Sequence, residues 1–217
     1  MDILKELSEI KILPVVKIGD VKDALPLCEA LTRGGISAAE ITFRTEAAAE
    51  CIRVISENMP DLLVGAGTVL SSAQAKAAID AGAGFAISPG FSDGAFDVCR
   101  ERGVTYIPGC ATPTEIMRAA ELGIKTVKIF PAEAVGGVKF IRAVSAAFSD
   151  TRFIPTGGIN GENFTEYLKL GCVSAVGGSW IADERMTADK RFDEICRLAA
   201  GATNTLKEIC DEDGCVR

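Results

Sequence analysis

Short apolar, strand-like segments recur along this chain at a nearly constant spacing. They lie at residues 12–17, 38–43, 62–67, 84–88, 104–108, 124–130, 152–156 and 173–177. Reference residues near the segment ends, from Lys17 to Gly177, follow one another at intervals of 20 to 28 positions. Eight strand–helix units at this spacing are what a parallel (β/α)8 barrel requires, so the α/β barrel is the predicted fold.

Amphipathic stretches lie between these segments, for example at residues 21–33, 73–81, 114–122 and 137–148. A short N-terminal helix is predicted at residues 2–10, packed across one end of the barrel, and a last helix at about residues 189–211. The acidic tail at 211–214 is expected to be solvated and frayed. Because 217 residues are close to the lower limit for this fold, we expect one barrel domain over 1–217.

An open, doubly wound sheet is the alternative fold. Such sheets usually have fewer strands, and many carry a G-x-G-x-x-G motif in the first turn. The first turn here, Lys17-Ile18-Gly19-Asp20, lacks that motif. Gly65-Ala66-Gly67-Thr68 lacks the third glycine and is weak evidence for a dinucleotide site. The pattern therefore favours the barrel.

Composition excludes several classes of function. The chain has no histidine, which removes Ser-His-Asp and Cys-His catalysis and the commonest metal ligand. Its eight cysteines include no C-x-x-C pair, so we expect buried free thiols rather than disulfides or a zinc site. A net charge of −7 argues against nucleic-acid and anionic-membrane partners. The charged N-terminal segment and the shortness of the apolar runs predict a cytoplasmic protein.

Lys128 interrupts an otherwise apolar, β-branched run, Thr126-Val127-Lys128-Ile129-Phe130-Pro131. A buried ammonium is unfavourable unless it is paired or loses its proton. An ordinary lysine is almost fully protonated at pH 7, but an uncharged amine can attack a carbonyl group and form a Schiff base. Lys128 is therefore the candidate nucleophile of the chain.

Alternation along two strands places polar side chains inside the barrel. Lys128 faces inward on the sixth strand, and Glu40, Thr42 and Arg44 face inward on the second. In such barrels the chemistry lies at the C-terminal ends of the strands, where Lys128 and Glu40 are found. A structural salt bridge between these two residues is the alternative. Because hydrophobic pairs often stabilise a core as well as a buried ion pair does, the pattern favours a functional role for the two residues.

Two double-glycine turns follow the last two strands, at residues 156–160 and 177–180. Glycine lets backbone amides approach a phosphate closely, and the loops after strands seven and eight are the common phosphate position in these barrels. The two turns therefore predict a phosphate site, with simple turn glycines as the alternative.

Other residues near the strand ends are weaker candidates. Pro89 and Phe130 are candidates for an apolar wall beside the lysine, and Thr68 for a hydrogen-bond donor to a carboxylate, although each alone is more often structural. Glu133 is interpreted as an ordinary charge at a helix entry, and Lys139 as an ordinary surface charge. Trp180 is interpreted as a packing residue.

Six motifs in this order resemble the bifunctional 2-keto-3-deoxy-6-phosphogluconate (KDPG) and 4-hydroxy-2-oxoglutarate (KHG) aldolase family. They are residues 35–44, 64–70, 85–90, 128–133, 155–159 and 177–180. The resemblance runs from about residue 10 to residue 185. It implies a class I aldolase with a (β/α)8 barrel, no metal or other cofactor, and a homotrimeric assembly.

The same resemblance implies roles for the inward-facing side chains. Lys128 corresponds to the Schiff-base lysine and Glu40 to the general acid/base. Arg44 and Thr68 correspond to the groups that hold the carboxylate of pyruvate.

The remaining positions correspond to the rest of the substrate site. Pro89 and Phe130 match the apolar wall at the pyruvyl carbons. The phosphate and distal-hydroxyl site matches Gly157, Gly158, Gly178 and Ser179. At position 17, where relatives often carry arginine, this chain has Lys17, which keeps the charge but loses the bidentate fork.

These observations predict cleavage of KDPG to pyruvate and glyceraldehyde 3-phosphate, and of KHG to pyruvate and glyoxylate. The expected partner is thus a small keto acid. One alternative is a 2-keto-3-deoxy-6-phosphogalactonate aldolase, which differs in stereochemistry at C4. A sugar-phosphate isomerase and a non-catalytic phosphosugar-binding barrel are the others, and neither would form a covalent pyruvate adduct.

Overall fold

The computed structural model describes residues 2–212, with side chains described up to residue 209. In this part of the chain, strands and helices alternate. The strands are β1 Ile12–Val16, β2 Ala38–Thr42, β3 Leu63–Gly67, β4 Phe85–Ile87, β5 Thr105–Ile107, β6 Gly109–Cys110, β7 Thr126–Ile129, β8 Arg152–Pro155 and β9 Val176–Gly178. The helices are α1 Ile3–Ile10, α2 Ala24–Arg33, α3 Ala48–Asn58, α4 Ser72–Asp80, α5 Asp93–Arg102, α6 Pro113–Glu121, α7 Gly137–Ser145, α8 Phe164–Leu168, α9 Glu184–Ala188 and α10 Phe192–Glu212.

The strands pair in parallel in two sheets. Six strands follow the order β5-β4-β3-β2-β1-β9, and three follow the order β6-β7-β8. Two isolated parallel bridges, Phe153 to Val173 and Thr156 to Gly177, link the region of β8 to that of β9. The prediction of an α/β fold with a parallel sheet is confirmed, and the larger sheet forms a half-barrel.

The chain passes from the larger sheet to the smaller one at Pro108. β5 pairs with β4, whereas β6, which starts one residue after Pro108, pairs with β7. Proline has no N–H group to donate to a ladder. Its carbonyl oxygen still accepts a hydrogen bond from the Lys128 amide at 2.9 Å. One extended segment therefore pairs with strands of both sheets.

Several predicted elements differ from the structure in their bounds, and two of these differences have a clear local reason. The last strand was expected at 173–177 but lies at Val176–Gly178, because Val173 bridges to β8 before the chain pairs with β1. The helix expected at 21–33 starts with a 3-10 turn at Val21–Asp23, and α2 follows from Ala24. Pro26 favours this late start because proline is tolerated only in the first turn of a helix. Residues 213–214 of the predicted frayed tail lie outside the described residues.

The buried apolar residues form two clusters, one on each face of the strands. The larger cluster lies between the strands and the helices and includes Ile41, Val127 and Ile129. The smaller one fills the interior and includes Leu13, Phe85, Ile87, Ile107 and Ile154.

Helix α1 covers the end of the interior at which the strands begin. Leu7 of α1 is 1% exposed and belongs to the interior cluster, as expected for a helix packed across that end. The opposite end, where the strands finish, is left for the functional side chains.

Candidate active site

Lys128 and Glu40 meet inside the fold. Lys128 lies on β7 and Glu40 on β2, two strands that belong to different sheets, so their contact spans the interior. The Lys128 Nζ atom lies 3.3 Å from Glu40 Oε1, and the side chains are 5% and 1% exposed. Alternation along the two strands predicted that both side chains face inward, and the structure brings them together.

The space for the Glu40 carboxylate is created by Gly67 on β3. A Cβ atom at this position would lie 2.5 Å from Glu40 Cγ and 2.7 Å from Cδ, well inside van der Waals contact. Thr42, two residues along β2, is fixed by donating from Oγ1 to the Val16 carbonyl at 3.0 Å. The missing side chain at Gly67 thus gives the buried carboxylate its room.

Two buried polar atoms have no hydrogen-bond partner among the described residues. They are Glu40 Oε2 and Thr156 Oγ1. An unsatisfied buried polar atom costs about 1–3 kcal/mol, and such atoms are uncommon in folded proteins. Glu40 Oε2 belongs to the carboxylate that meets the buried Lys128 ammonium, so this pair leaves one carboxylate oxygen without a partner among the described residues.

A cavity of about 220 Å³ opens at the end where the strands finish. It brings seven of the predicted site residues together: Lys17, Arg44, Phe130, Gly157, Gly158, Gly178 and Ser179. The Lys128 Nζ atom lies 5.2 Å from the centre of the Phe130 ring, which lines the cavity. Thr42 and Thr156 line it too. Lys128 and Glu40 themselves do not line the cavity, but Phe130 beside Lys128 and Thr42 two residues after Glu40 do, so the buried pair lies next to it.

Thr68 and Pro89 lie outside the residues that line this cavity. Both follow strands that finish at the same edge, β3 and β4. Thr68 has a φ of 55°, in the left-handed region that few threonines adopt. The structure thus places these two predicted residues near the site but not on its wall.

Tyr106 ties the two loops that carry Thr68 and Pro89. Its hydroxyl donates to Ser88 Oγ at 3.0 Å, and Ser88 Oγ donates to the Val69 carbonyl. Burial raises the pKa of Tyr106 above its ordinary value, so the phenol stays protonated as a donor.

The first double-glycine turn is held by a backbone amide that precedes it in the chain and by a side chain that follows it. Gly157 and Gly158 have φ values of 97° and 83°, which favour glycine. The Glu133 amide donates to the Gly157 carbonyl at 3.1 Å, and Asn163 Nδ2 donates to the Gly158 carbonyl at 3.0 Å. The Tyr167 hydroxyl donates to the Glu133 carboxylate.

The interpretation of Glu133 as an ordinary helix-entry charge is therefore wrong. Its side chain packs against Gly158, where a Cβ atom would lie 2.5 Å from Glu133 Cγ. Burial, followed by the hydrogen bond to Glu133, raises the pKa of Tyr167 above its ordinary value. Tyr167 lies 34 residues from Glu133 along the chain, so no local motif marked the pair.

Trp180 packs as expected. Its ring lies 5.8 Å from that of Phe164, with an angle of 31° between the ring planes. A Cβ atom at Gly178 would overlap the same ring. The indole thus fixes the backbone of the second double-glycine turn.

Lys17 at the mouth of the cavity has a partner that sequence reasoning missed. Its Nζ atom lies 2.6 Å from Oε1 of Glu184, the first residue of α9. The two residues are 167 positions apart, so only the tertiary structure reveals the pair.

The cysteines whose side chains the structure describes are free thiols. There are six of them, and Cys28, Cys51, Cys99 and Cys110 are buried. Among the described residues, no three side chains of His, Cys, Asp or Glu lie close enough together to hold a metal ion. Within residues 2–212 no helix has the length and apolar character needed to cross a membrane.

Comparisons with known proteins agree with this geometry. The relative from Haemophilus influenzae named 2-dehydro-3-deoxy-phosphogluconate aldolase is 40% identical over 205 residues, which cover 94% of this chain and 97% of the relative. The structure of KDPG aldolase from Legionella pneumophila, with pyruvate captured at low pH as a covalent carbinolamine intermediate, has a TM-score of 0.88 at 38% identity. The match covers 92% of this chain and 97% of that chain.

A third comparison concerns a phosphorylated ligand. The structure of KDPG aldolase from Zymomonas mobilis with 3-phosphoglycerate has a TM-score of 0.83 at 34% identity, covering 92% of this chain and 94% of that chain. The family model described as KDPG and KHG aldolase matches residues 3–198. This chain therefore belongs to the KDPG and KHG aldolase family.

Proposed function

We propose that this protein is a class I aldolase that cleaves KDPG to pyruvate and glyceraldehyde 3-phosphate, with KHG as a second substrate. The observation that carries the proposal is the buried contact between Lys128 Nζ and Glu40 Oε1 at 3.3 Å, next to a cavity lined by Arg44 and two double-glycine turns. A Schiff-base lysine needs a low-dielectric site and a neighbouring group that moves protons, and this arrangement supplies both.

Orientation of the substrate begins with its carboxylate. Arg44 is exposed in the cavity and makes no ion pair with a side chain among residues 2–209. Its guanidinium can therefore bind the keto-acid carboxylate through charge-assisted hydrogen bonds. Phe130 supplies an apolar surface beside the reacting carbons. We assign Thr68 and Pro89 to the same end of the substrate, as the family resemblance implies.

The chemistry then passes through Lys128. Glu40 accepts a proton from the ammonium, and the uncharged amine adds to the C2 carbonyl to give a carbinolamine. Glu40 returns a proton to the hydroxyl, which leaves as water and yields an iminium ion. The unpartnered Oε2 atom gives Glu40 a second oxygen for this exchange. Proton transfer at such short range is typical of general acid–base catalysis.

The iminium ion accepts the electron pair as the C3–C4 bond breaks. Glu40 removes the proton of the C4 hydroxyl, so glyceraldehyde 3-phosphate leaves as an aldehyde. The remaining enamine is protonated at C3, and water releases pyruvate and the free lysine. At the far end, we assign the phosphate to Gly157, Gly158, Gly178 and Ser179, where backbone amides near positive-φ glycines favour an anion.

Borohydride trapping tests the nucleophile. Incubation with pyruvate and sodium borohydride should add one reduced pyruvyl group to the protein, and peptide mapping should find it on Lys128. An adduct on another lysine would overturn the assignment. Lys128→Arg, which keeps a positive charge at this site, should give no adduct.

Pyruvate release tests the substrate. We expect release from KDPG and, more slowly, from KHG, in the presence of a chelator. Faster release from 2-keto-3-deoxy-6-phosphogalactonate would favour the aldolase of opposite C4 stereochemistry. Conversion of a sugar phosphate without loss of carbon would instead identify an isomerase.

The finer architecture belongs to the same proposal. We infer that the two sheets close into an eight-stranded barrel, with β5 and β6 acting as one strand interrupted at Pro108. The isolated bridges near β8 and β9 support closure on the other side. A homotrimer and a cytoplasmic location stay predictions. Light scattering on the purified protein would give the subunit number.

A further inference from the structure

The ion pair between Lys17 and Glu184 stands at the mouth of the cavity. The two charged atoms are 2.6 Å apart, and the side chains are 34% and 63% exposed. The backbone of Glu184 is held in place because the Asp183 carboxylate accepts a hydrogen bond from the Met186 amide at 2.8 Å and so caps α9. The pair is thus presented to the cavity by two fixed elements.

Of the described residues that line the cavity, Lys17, Arg44 and Glu184 carry charge. The strand order places Lys17 nearer the glycine turns than Arg44. β1, which precedes Lys17, pairs directly with β9 through Pro14 and Gly178, whereas β2, which precedes Arg44, is one strand further away. By strand order, Lys17 is therefore the cation nearest to the end of the cavity that is assigned to the substrate phosphate.

We propose that Glu184 is a specificity-determining residue. By pairing with the Lys17 ammonium, it weakens the preference of the site for substrates that carry a distal phosphate. The inference rests on the proposed aldolase function. A phosphate dianion at the glycine turns competes with the Glu184 carboxylate for the Lys17 ammonium and is also repelled by that carboxylate. A substrate without the phosphate meets neither effect. Glu184 thus narrows the difference in affinity between phosphorylated and unphosphorylated keto acids.

The chain departs here from simple phosphate capture. A lysine without an acidic partner would attract the substrate phosphate with its full positive charge. The 2.6 Å pair instead makes phosphate binding an exchange of one anion for another. The same two side chains also line a neighbouring cavity of about 450 Å³, so the pair borders both cavities.

Glu184→Gln tests the inference because it removes the charge and keeps the shape. At low ionic strength we expect the KM for KDPG to fall about three- to tenfold, with kcat little changed, since unit charges a few ångströms apart in water interact to this extent. The KM for unphosphorylated 2-keto-3-deoxygluconate should stay the same. Added salt should shrink the effect, because the pair is exposed to solvent. Glu121→Gln at the exposed end of α6 is the matched control and should change neither KM.

Repeating Glu184→Gln in a Lys17→Gln variant tests whether Glu184 acts by competing with the phosphate for Lys17 or acts independently of Lys17. In that background Glu184→Gln should lower the KM for KDPG much less than in the parent. An equal fall of KM for both substrates, an unchanged ratio, or full additivity with Lys17→Gln would overturn the role of Glu184. Failure of the parent protein to release pyruvate from any of these keto acids would instead overturn the proposed function.

Discussion

Gly67→Ala should impair catalysis far more than it impairs folding. The new Cβ atom would lie 2.5 Å from Glu40 Cγ and 2.7 Å from Cδ, whereas unstrained carbon contacts begin at about 3.5 Å. The outer half of the Glu40 side chain must therefore move by about 1 Å. Misplacement of a catalytic group by that distance costs on the order of 100-fold in rate.

The stability cost should be smaller, because the displaced group is the end of a flexible side chain rather than backbone or a ring. Overpacking of a well-filled core costs about 1–3 kcal/mol, and adjustment of the Glu40 side chain places Gly67→Ala at the low end. Gly65→Ala is the informative contrast. Its Cβ atom would overlap the ring of Phe85, which is fully buried in the interior cluster. That variant should lose the full 1–3 kcal/mol of stability, with a smaller effect on kcat.

Urea unfolding monitored by circular dichroism, together with kcat for KDPG, measures the two effects separately. Gly171→Ala serves as the neutral control, since a Cβ atom there meets no described atom within 4 Å. The reasoning is refuted if Gly67→Ala keeps more than about half of the parent kcat, because the carboxylate would then not need its present position. Equal loss of kcat in Gly65→Ala would also refute it.

Three further predictions concern the pair, the glycine turn and the thiols. Lys128→Met should abolish turnover and cost about 3–5 kcal/mol by leaving Glu40 buried alone, whereas the double variant with Glu40→Gln should recover most of that stability in urea unfolding. Tyr167→Phe should raise the KM for KDPG several-fold but leave the rate of borohydride trapping with pyruvate unchanged, since the lost hydrogen bond positions only the glycine turn. Burial raises the pKa of Cys28 and of Cys110 from 9.0 to about 12. Because these pKa values are higher in the folded state, their contribution to stability is complete below pH 9 and is lost as pH rises toward 12; the unfolding midpoint should fall over this range, and less steeply in Cys28→Ala.

Local sequence pattern was sufficient to predict the features that depend on the period of side chains along a strand and on the position of residues at strand ends. Alternation along β2 and β7 put Glu40 and Lys128 on the inner face, and parallel strands bring the ends of these strands to one edge. The glycine turns were visible because their spacing follows the strand repeat. None of these inferences needed knowledge of long-range contacts.

The remaining features depend on contacts that sequence does not mark. Glu184 begins a five-residue helix whose position is set by its capping and packing, and it meets Lys17 across 167 residues. Glu133 gains its role from Tyr167, which is buried on α8, 34 residues further along the chain. The resemblance assigned Thr68 and Pro89 to the substrate site, but neither residue lines the cavity.

The crossing at Pro108 has a mechanical consequence. Lys128, the proposed nucleophile, belongs to the three-stranded sheet, and Glu40, the proposed proton carrier, belongs to the six-stranded sheet. Among the described residues, the two sheets are joined by the segment through Pro108 and by two isolated bridges, and Ile107 and Ile154 pack in the interior cluster that both sheets share. Truncation of Ile107 or Ile154 should therefore alter the distance between Lys128 and Glu40, and with it the rate, while the strand pairing within each sheet is kept.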